Sequence, residues 1–171
     1  IPLRLVGSEM CIRDRLLKAI SLMDLTTLSG DDTEARVKRL CRKAKQPISS
    51  NLEKQLGVQS LNLSVAAVCV YHDMLSAAKN IIKDTNIHLA AVSTGFPAGL
   101  SPLPLRLQEI QYSVDSGANE IDIVISRRHV LDGNWEALYE EVKLFREKCG
   151  DAHMKTILAT GELGNLSLIH I

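Results

Sequence analysis

The sequence predicts an α/β protein built on a parallel sheet, and three observations support this prediction. Short runs rich in Val, Ile and Ala alternate with amphipathic stretches of helical period. The short runs are apolar at most positions, as in strands of a sheet that is covered on both faces. Successive runs begin 23, 31 and 34 residues apart, and each interval holds one helical stretch, which is the spacing of βα units.

The predicted elements follow one another in strict alternation. The strands are residues 66–71 (AAVCVY), 89–94 (LAAVST), 120–125 (EIDIVI) and 154–160 (MKTILAT), with 22–28 (LMDLTTL) as a plausible earlier one. Apolar residues at helical spacing predict helices over 33–46, 73–84, 104–116 and 134–149. Asp73 and Asn134 are candidate N-caps, and Gly117 and Gly150 follow helix ends. We expect Trp135 and Phe145 to be core residues.

Two architectures satisfy this alternation, an open doubly wound sheet and a (β/α)₈ barrel. No Gly-rich nucleotide-binding loop follows any predicted strand, which disfavours the nucleotide-binding form of the first. A complete barrel needs about 250 residues, and only five strands can be counted here. The pattern leaves both open and favours an incomplete TIM barrel with about five of its eight βα units.

Composition excludes several classes of function. The net charge is zero, which predicts no basic face for nucleic acid. No apolar run reaches the length of a transmembrane helix. The cysteines are widely spaced and form no CxxC pair, which argues against a disulfide framework or a zinc site. We therefore expect a cytoplasmic protein that binds neither nucleic acid nor membrane.

The two ends of the chain show no folding pattern of their own. One choice of codons for residues 166–171 has a reverse complement that encodes residues 10–14 and the start of Arg15. That DNA resembles a transposon-end adaptor used in sequencing libraries. We therefore expect residues 1–15 and 166–171 to be adaptor-derived, not native, and residues 16–165 to form one partial barrel domain.

Acidic and basic side chains inside the predicted strands are the candidates for chemistry. Asp122 lies in the middle of a strand, on the same face as Glu120 and Val124. A carboxylate in a barrel wall is costly unless it is bonded, so it indicates either a site or a structural hydrogen bond. Lys155 could approach Asp122 if its face is the lumen, although a lysine near a strand start can also be solvated.

Two further residues have two interpretations each, and two loops are also candidates. Asp24 is either a second acid in an apolar strand or a ligand of the adjacent threonines, and Cys69 either lines a substrate pocket or is a small buried hydrophobe. The loops at 93–99 (STGFPAG) and 160–163 (TGEL) follow strands, where barrel active sites open. The first is a weak match to a phosphate-binding loop.

Taken together, LMDLTTLSGDDT, AAVCVY, STGFPAG, ANEIDIVI, GNWEALYEEV and KTILATGEL resemble the deoxyribose-phosphate aldolase family, most closely its eukaryotic branch. The resemblance implies a (β/α)₈ barrel that reversibly cleaves 2-deoxy-D-ribose 5-phosphate to glyceraldehyde 3-phosphate and acetaldehyde. It implies a class I mechanism, in which a lysine amine forms a Schiff base with the substrate, with no metal and no other cofactor. The implied partner is a small phosphosugar, and a homo-oligomer of the intact protein is compatible with the resemblance.

The resemblance also implies roles for individual residues. Asp122 matches the proton-relaying aspartate, Asp24 and Cys69 match positions that line the substrate pocket, and Lys155 matches a lysine beside the reactive centre. The Schiff-base lysine of the family lies in a phrase like Ile-Lys-Thr-Ser-Thr-Gly-Lys, which this sequence does not contain. We therefore expect the 171-residue chain to be inactive alone. The alternative is a non-catalytic half-barrel that binds a partner or acts as a scaffold.

Overall fold

Five parallel strands form one sheet in the order β1-β2-β3-β4-β5 in this computed structural model, which describes residues 11–164. The strands are β1 (Asp24–Thr26), β2 (Ala67–Tyr71), β3 (His88–Val92), β4 (Glu120–Val124) and β5 (His153–Ile157). Each strand pairs with its successor in sequence, so the strand order never reverses. A doubly wound sheet reverses its order at a switch point, whereas a barrel does not, and the topology therefore favours the barrel.

Within residues 11–164, seven α-helices connect or flank the strands. They are α1 (Ile12–Ile20), α2 (Glu34–Lys45), α3 (Ser50–Leu56), α4 (Leu75–Ile82), α5 (Leu103–Asp115), α6 (Arg127–Leu131) and α7 (Trp135–Cys149). The four predicted helices correspond to α2, α4, α5 and α7, with ends shifted by at most two residues. The short helices α3 and α6 were not predicted, because neither carries a long apolar stripe.

Helix caps explain where several helices begin. The Thr33 hydroxyl accepts a hydrogen bond from Arg36 N at 3.3 Å, and Asn134 Oδ1 accepts one from Ala137 N at 3.2 Å. The predicted cap at Asn134 is thus confirmed. The predicted cap at Asp73 is wrong: Asp73 lies in a 3₁₀ turn (His72–Met74) that delays the start of α4 to Leu75.

The main core lies between the sheet and the helices. Ile121 and Ile123 of β4, and Ile125 directly after it, enter this core from one face, as the alternation predicts. Phe145 is fully buried there, but Trp135 is 43% exposed, so the prediction that it is a core residue is wrong. Trp135 is the first residue of α7, and the apolar stripe that contacts the core starts one turn later.

The two terminal segments lie largely beyond the described residues. Helix α1 includes residues 12–15, which the fold prediction left out, and packs Leu17 against Val58 and Leu63. The remainder of the predicted adaptor-derived segments, residues 1–10 and 166–171, falls outside residues 11–164. None of the helices in the described part is long and apolar enough to cross a bilayer.

Candidate active site

The four predicted site residues lie on one face of the sheet, opposite the main core. We call this the inner face. It also carries a small apolar cluster of Ala67, Cys69, Ala90 and Val92. Because residues alternate along a strand, Asp122 projects here while its neighbours Ile121 and Ile123 project into the main core. The register aligns Asp122 with Lys155 on the adjacent strand.

Lys155 forms the centre of the site, because three carboxylates surround its ammonium group. Its Nζ donates to Asp24 Oδ2, and it lies 2.9 Å from Glu120 Oε2 and 3.1 Å from Asp122 Oδ1. Asp24 belongs to β1 and Lys155 to β5, so this ion pair joins the two edge strands of the described sheet across its inner face. The curvature of the sheet thus brings together residues 131 positions apart in the chain.

These contacts fix the charge of Lys155. Partial burial opposes protonation, but the hydrogen bonds to Asp24 and Glu120, together with the charge of Asp122, outweigh burial and raise the pKa of Lys155 above its usual value. Lys155 is therefore an ammonium ion at neutral pH. A protonated amine has no lone pair with which to attack a carbonyl, so in this arrangement Lys155 is a fixed positive charge.

Asp122 is held more loosely than its ion pair suggests. Its Oδ2 accepts a hydrogen bond from Cys69 Sγ at 3.3 Å, a weak interaction because thiols are poor donors. Its Oδ1 is buried and accepts no hydrogen bond with good geometry from residues 11–164, although the Lys155 ammonium lies 3.1 Å away. The contact with Lys155 is an ion pair. Asp122 Oδ1 therefore keeps a lone pair without a donor from residues 11–164.

Cys69 supplies a small, neutral lining to the site. Burial raises the pKa of its thiol, and the adjacent Asp122 carboxylate, by its charge and its hydrogen bond, raises it further. The thiol thus remains protonated at neutral pH and acts as a donor to Asp122. It is not a thiolate nucleophile.

Sequence analysis did not assign Glu120 to the site, although alternation placed it on the same face as Asp122. Its side chain is 13% exposed, and its Oε1 lies 2.6 Å from His88 Nδ1 at the start of β3. Burial opposes ionisation of Glu120, but Lys155 and His88 together outweigh it and lower the pKa of its carboxyl. The signal available in the sequence was the pair Glu120 and Asp122, two acids at a spacing of two in one strand.

A buried polar network holds the carboxyl ends of β3 and β4, and no pattern in the sequence indicated it. Arg106 of α5, 2% exposed, donates to the carbonyl oxygens of Thr94 and Val124 and pairs with Glu141 of α7 at 2.8 Å. Glu141 in turn accepts hydrogen bonds from the backbone N–H and hydroxyl of Ser126. The network bonds two helices to the strand ends just beyond Asp122.

The loop at 93–99 turns over the same end of the sheet. Gly95 and Gly99 have φ values of 77° and 70°, which glycine adopts without strain. The Gly95 N–H donates to the Glu109 carboxylate at 2.7 Å, so this backbone amide already has an anionic acceptor within the protein. This N–H is therefore not available to bind a phosphate. Within the described residues, no group of three or more His, Cys, Asp and Glu side chains is placed to bind a metal ion.

Comparison with known proteins agrees with this geometry. The sequence model of the DeoC/LacD family of aldolases matches residues 18–168. Human deoxyribose-phosphate aldolase is 52% identical over 157 residues, which are 91% of this chain and 49% of the human protein. This chain therefore spans about half the length of the curated relatives it matches.

Solved structures show the same fold. The structure of the aldolase QR15 aligns with a TM-score of 0.69 at 23% identity and covers 88% of this chain and 59% of its own. The tetrameric deoxyribose phosphate aldolase from Aeropyrum pernix aligns with a TM-score of 0.60 at 27% identity and covers 83% and 53%. The five βα units are thus part of a (β/α)₈ barrel, and the chain belongs to the DeoC/LacD family of aldolases.

Proposed function

We propose that this chain supplies five βα units of a deoxyribose-phosphate aldolase, with Asp122 as the group that relays protons. The reaction is the reversible cleavage of 2-deoxy-D-ribose 5-phosphate to glyceraldehyde 3-phosphate and acetaldehyde. The observation that carries the proposal is the cluster of Asp24, Cys69, Asp122 and Lys155 on the inner face, in a chain 52% identical to the human enzyme.

Asp122 suits a proton relay because few hydrogen-bond donors contact its carboxylate. When the carbon–carbon bond breaks, the substrate hydroxyl must lose a proton, and the resulting enamine carbon must gain one. A carboxylate that performs both steps needs a lone pair free of permanent donors. Among residues 11–164, Asp122 Oδ1 faces only the Lys155 ammonium at 3.1 Å, so one of its two lone pairs is free, while Cys69 and Lys155 keep the carboxylate in place.

Lys155 is not suited to the role of nucleophile. The class I mechanism needs a neutral lysine amine, and Lys155 is surrounded by three carboxylates that stabilise its ammonium form. We assign it an electrostatic role beside the reacting atoms. The Schiff-base amine then comes from the lysine of the Ile-Lys-Thr-Ser-Thr-Gly-Lys phrase of the family, which is absent from these 171 residues. A polypeptide of these residues alone should not turn over substrate.

We infer a small phosphosugar as the binding partner and a cytoplasmic location, where such metabolites occur. The balanced charge supports the inference that the protein does not bind nucleic acid. The tetramer described for the Aeropyrum pernix relative supports a homo-oligomer of the whole protein.

A chimera tests the proposed function. The matched 157 residues of the human enzyme are replaced by the aligned residues of this chain, and retro-aldol cleavage is measured by coupling glyceraldehyde 3-phosphate to its dehydrogenase. We expect the chimera to be active. Asp122→Asn should lower kcat by about 100-fold or more, because the amide keeps the shape of the carboxylate but cannot take up the proton.

Asp84→Asn is the matched control, since Asp84 is exposed in the turn after α4. Its kcat should stay within twofold of the kcat of the parent chimera. A folded chimera without activity, or an Asp122→Asn variant as active as Asp84→Asn, would contradict the proposal.

A further inference from the structure

Glu120 lies in the candidate site, but the proposed mechanism gives it no task. It lies two residues before Asp122 on β4, and both carboxylates project from the inner face. Each Glu120 oxygen has its own partner: Oε2 lies 2.9 Å from Lys155 Nζ, and Oε1 lies 2.6 Å from His88 Nδ1. Both oxygens of the Glu120 carboxylate are therefore held in place.

The Lys155 ammonium has three N–H groups, and it faces three carboxylates. Asp24 approaches from β1, whereas Glu120 and Asp122 approach from β4, so the partners lie on two sides of the ammonium. A lysine side chain has four flexible bonds and loses that freedom only when its head group is held from several directions. Without Glu120, Lys155 could follow Asp24 away from β4.

The position of Lys155 matters because Asp122 has few contacts of its own. One oxygen of Asp122 has only the weak thiol donor of Cys69, and the other has only the charge of Lys155 at 3.1 Å. Any displacement of the ammonium therefore changes the field at Asp122 and the direction in which its carboxylate points. Glu120 and Asp122 do not need to touch for one to control the other.

We propose that Glu120 is a positioning residue that fixes the Lys155 ammonium and, through it, orients Asp122. The proposal rests on the function proposed above. His88 supports Glu120 from the amino-terminal side of the sheet, with a smaller effect because its side chain is 59% exposed. Glu120 itself does not touch the substrate and transfers no proton.

The test uses Glu120→Gln in the chimera, with Glu147→Gln as the matched control on an exposed turn of α7. Glutamine has the same shape, so the fold is retained, but it loses the charge that holds Lys155. Two steps are measured apart: borohydride trapping of the Schiff base, and exchange of the acetaldehyde methyl protons with deuterated water. We expect exchange to slow about tenfold, with trapping and KM unchanged. A merely structural role would weaken trapping and exchange together.

A second measurement detects the Lys155 ammonium group directly and does not depend on catalysis. Ammonium groups held in ion pairs exchange their protons slowly enough to be seen by nitrogen-detected NMR of labelled lysine. We expect the Lys155 signal in the parent and in Glu147→Gln, and its loss in Glu120→Gln. If Glu120→Gln leaves that signal and the exchange rate unchanged, the proposal is wrong. If the parent chimera has no activity, the proposed function and the effect on Asp122 fail together, while the NMR signal still decides whether Glu120 fixes Lys155.

Discussion

At the scale of single residues, contacts decide which of two roles a lysine takes in an aldolase site. A nucleophilic amine must be neutral, so it needs burial or another cation nearby to lower its pKa. Lys155 has the opposite surroundings, with Asp24, Glu120 and Asp122 around it. Its partial burial is outweighed by these carboxylates, and its pKa is raised. The same side chain therefore serves as a permanent charge.

This arrangement predicts a pH-dependent loss of stability in Lys155→Met. Removal of the ammonium leaves three acids facing one another, and we expect the chimera to lose about 1–3 kcal/mol of unfolding free energy at pH 7. The folded-state pKa of Glu120 lies below its ordinary value of 4.5. Its contribution to stability is therefore present above pH 4.5 and is lost as pH falls through the lowered pKa. Lys155→Met lacks the part of that contribution that Lys155 makes, while the part made by His88 remains.

The difference in stability between the parent and Lys155→Met should therefore shrink as pH falls below 4.5 and through the lowered pKa of Glu120. Urea unfolding at pH 7 and at acid pH measures it. Lys148→Met, on an exposed turn of α7, is the control and should show no such trend. A loss of equal size at both pH values would contradict the electrostatic explanation and indicate lost packing instead.

At the scale of elements, the ends of β3 and β4 are held by side chains where the backbone ladder stops. The ladder pairs Val92 with Asp122, and Ser93 N then donates to Asp122 O at 2.9 Å. Beyond that point the Thr94 hydroxyl bridges both the N–H and the carbonyl of Val124. Arg106 adds its own bonds to both strands. Helices α5 and α7 thereby set the spacing of the strands that carry the site.

Two variants of this network separate its charge pair from its hydrogen bonds to the strand ends. Arg106→Met leaves Glu141 buried without its partner, and we expect a loss of about 3–5 kcal/mol in unfolding free energy. The double variant Arg106→Met, Glu141→Leu removes both charges. It should recover part of that loss but stay about 1–3 kcal/mol below the parent, because the carbonyl oxygens of Thr94 and Val124 lose a donor and the N–H and hydroxyl of Ser126 lose an acceptor. Denaturant unfolding of the parent chimera and of both variants measures these losses, and full recovery in the double variant would show that these hydrogen bonds contribute nothing.

Alternation within strands made much of the site predictable from sequence. A period of two places Asp122 opposite the isoleucines of β4, and the same rule aligns Lys155 with the inner face. The sequence predicted that Lys155 could approach Asp122, but its contacts with Asp24 and Glu120 could not be predicted, because they depend on the register of β4 with β5 and on the curvature that brings Asp24 across the sheet. The Arg106 network was equally invisible, since Arg106 looks like an ordinary polar residue between Leu105 and Leu107. Trp135 shows the limit of prediction from helical periodicity, which does not reveal where a helix leaves the core.

At the scale of the whole molecule, the site depends on a sheet that remains open among the described residues. The strand order runs from β1 to β5, and β1 and β5 are its edges. The inner face carries the ion pair of Asp24 and Lys155, which links the two edge strands by side chains alone. In a (β/α)₈ barrel, further strands lie between such edges and pair with the backbone of both. The charged cluster is therefore best protected from water when the barrel is closed.

Open edges predict how a polypeptide of these 171 residues behaves alone. Unpaired N–H and C=O groups on an edge strand attract other strands, and parallel edges with apolar flanks are prone to aggregation. We expect the isolated chain to be insoluble or to elute in size-exclusion chromatography as a broad, large species.

The chimera, which pairs both edges with strands of the human enzyme, should elute as a defined species and unfold in one cooperative transition. Co-expression of the isolated chain with the unmatched half of the human enzyme should raise its soluble yield, because the two halves complete each other's edges. A monomeric isolated chain with a sharp unfolding transition would show that β1 and β5 are protected without added strands, and it would favour the alternative of a stable half-barrel that acts by binding a partner.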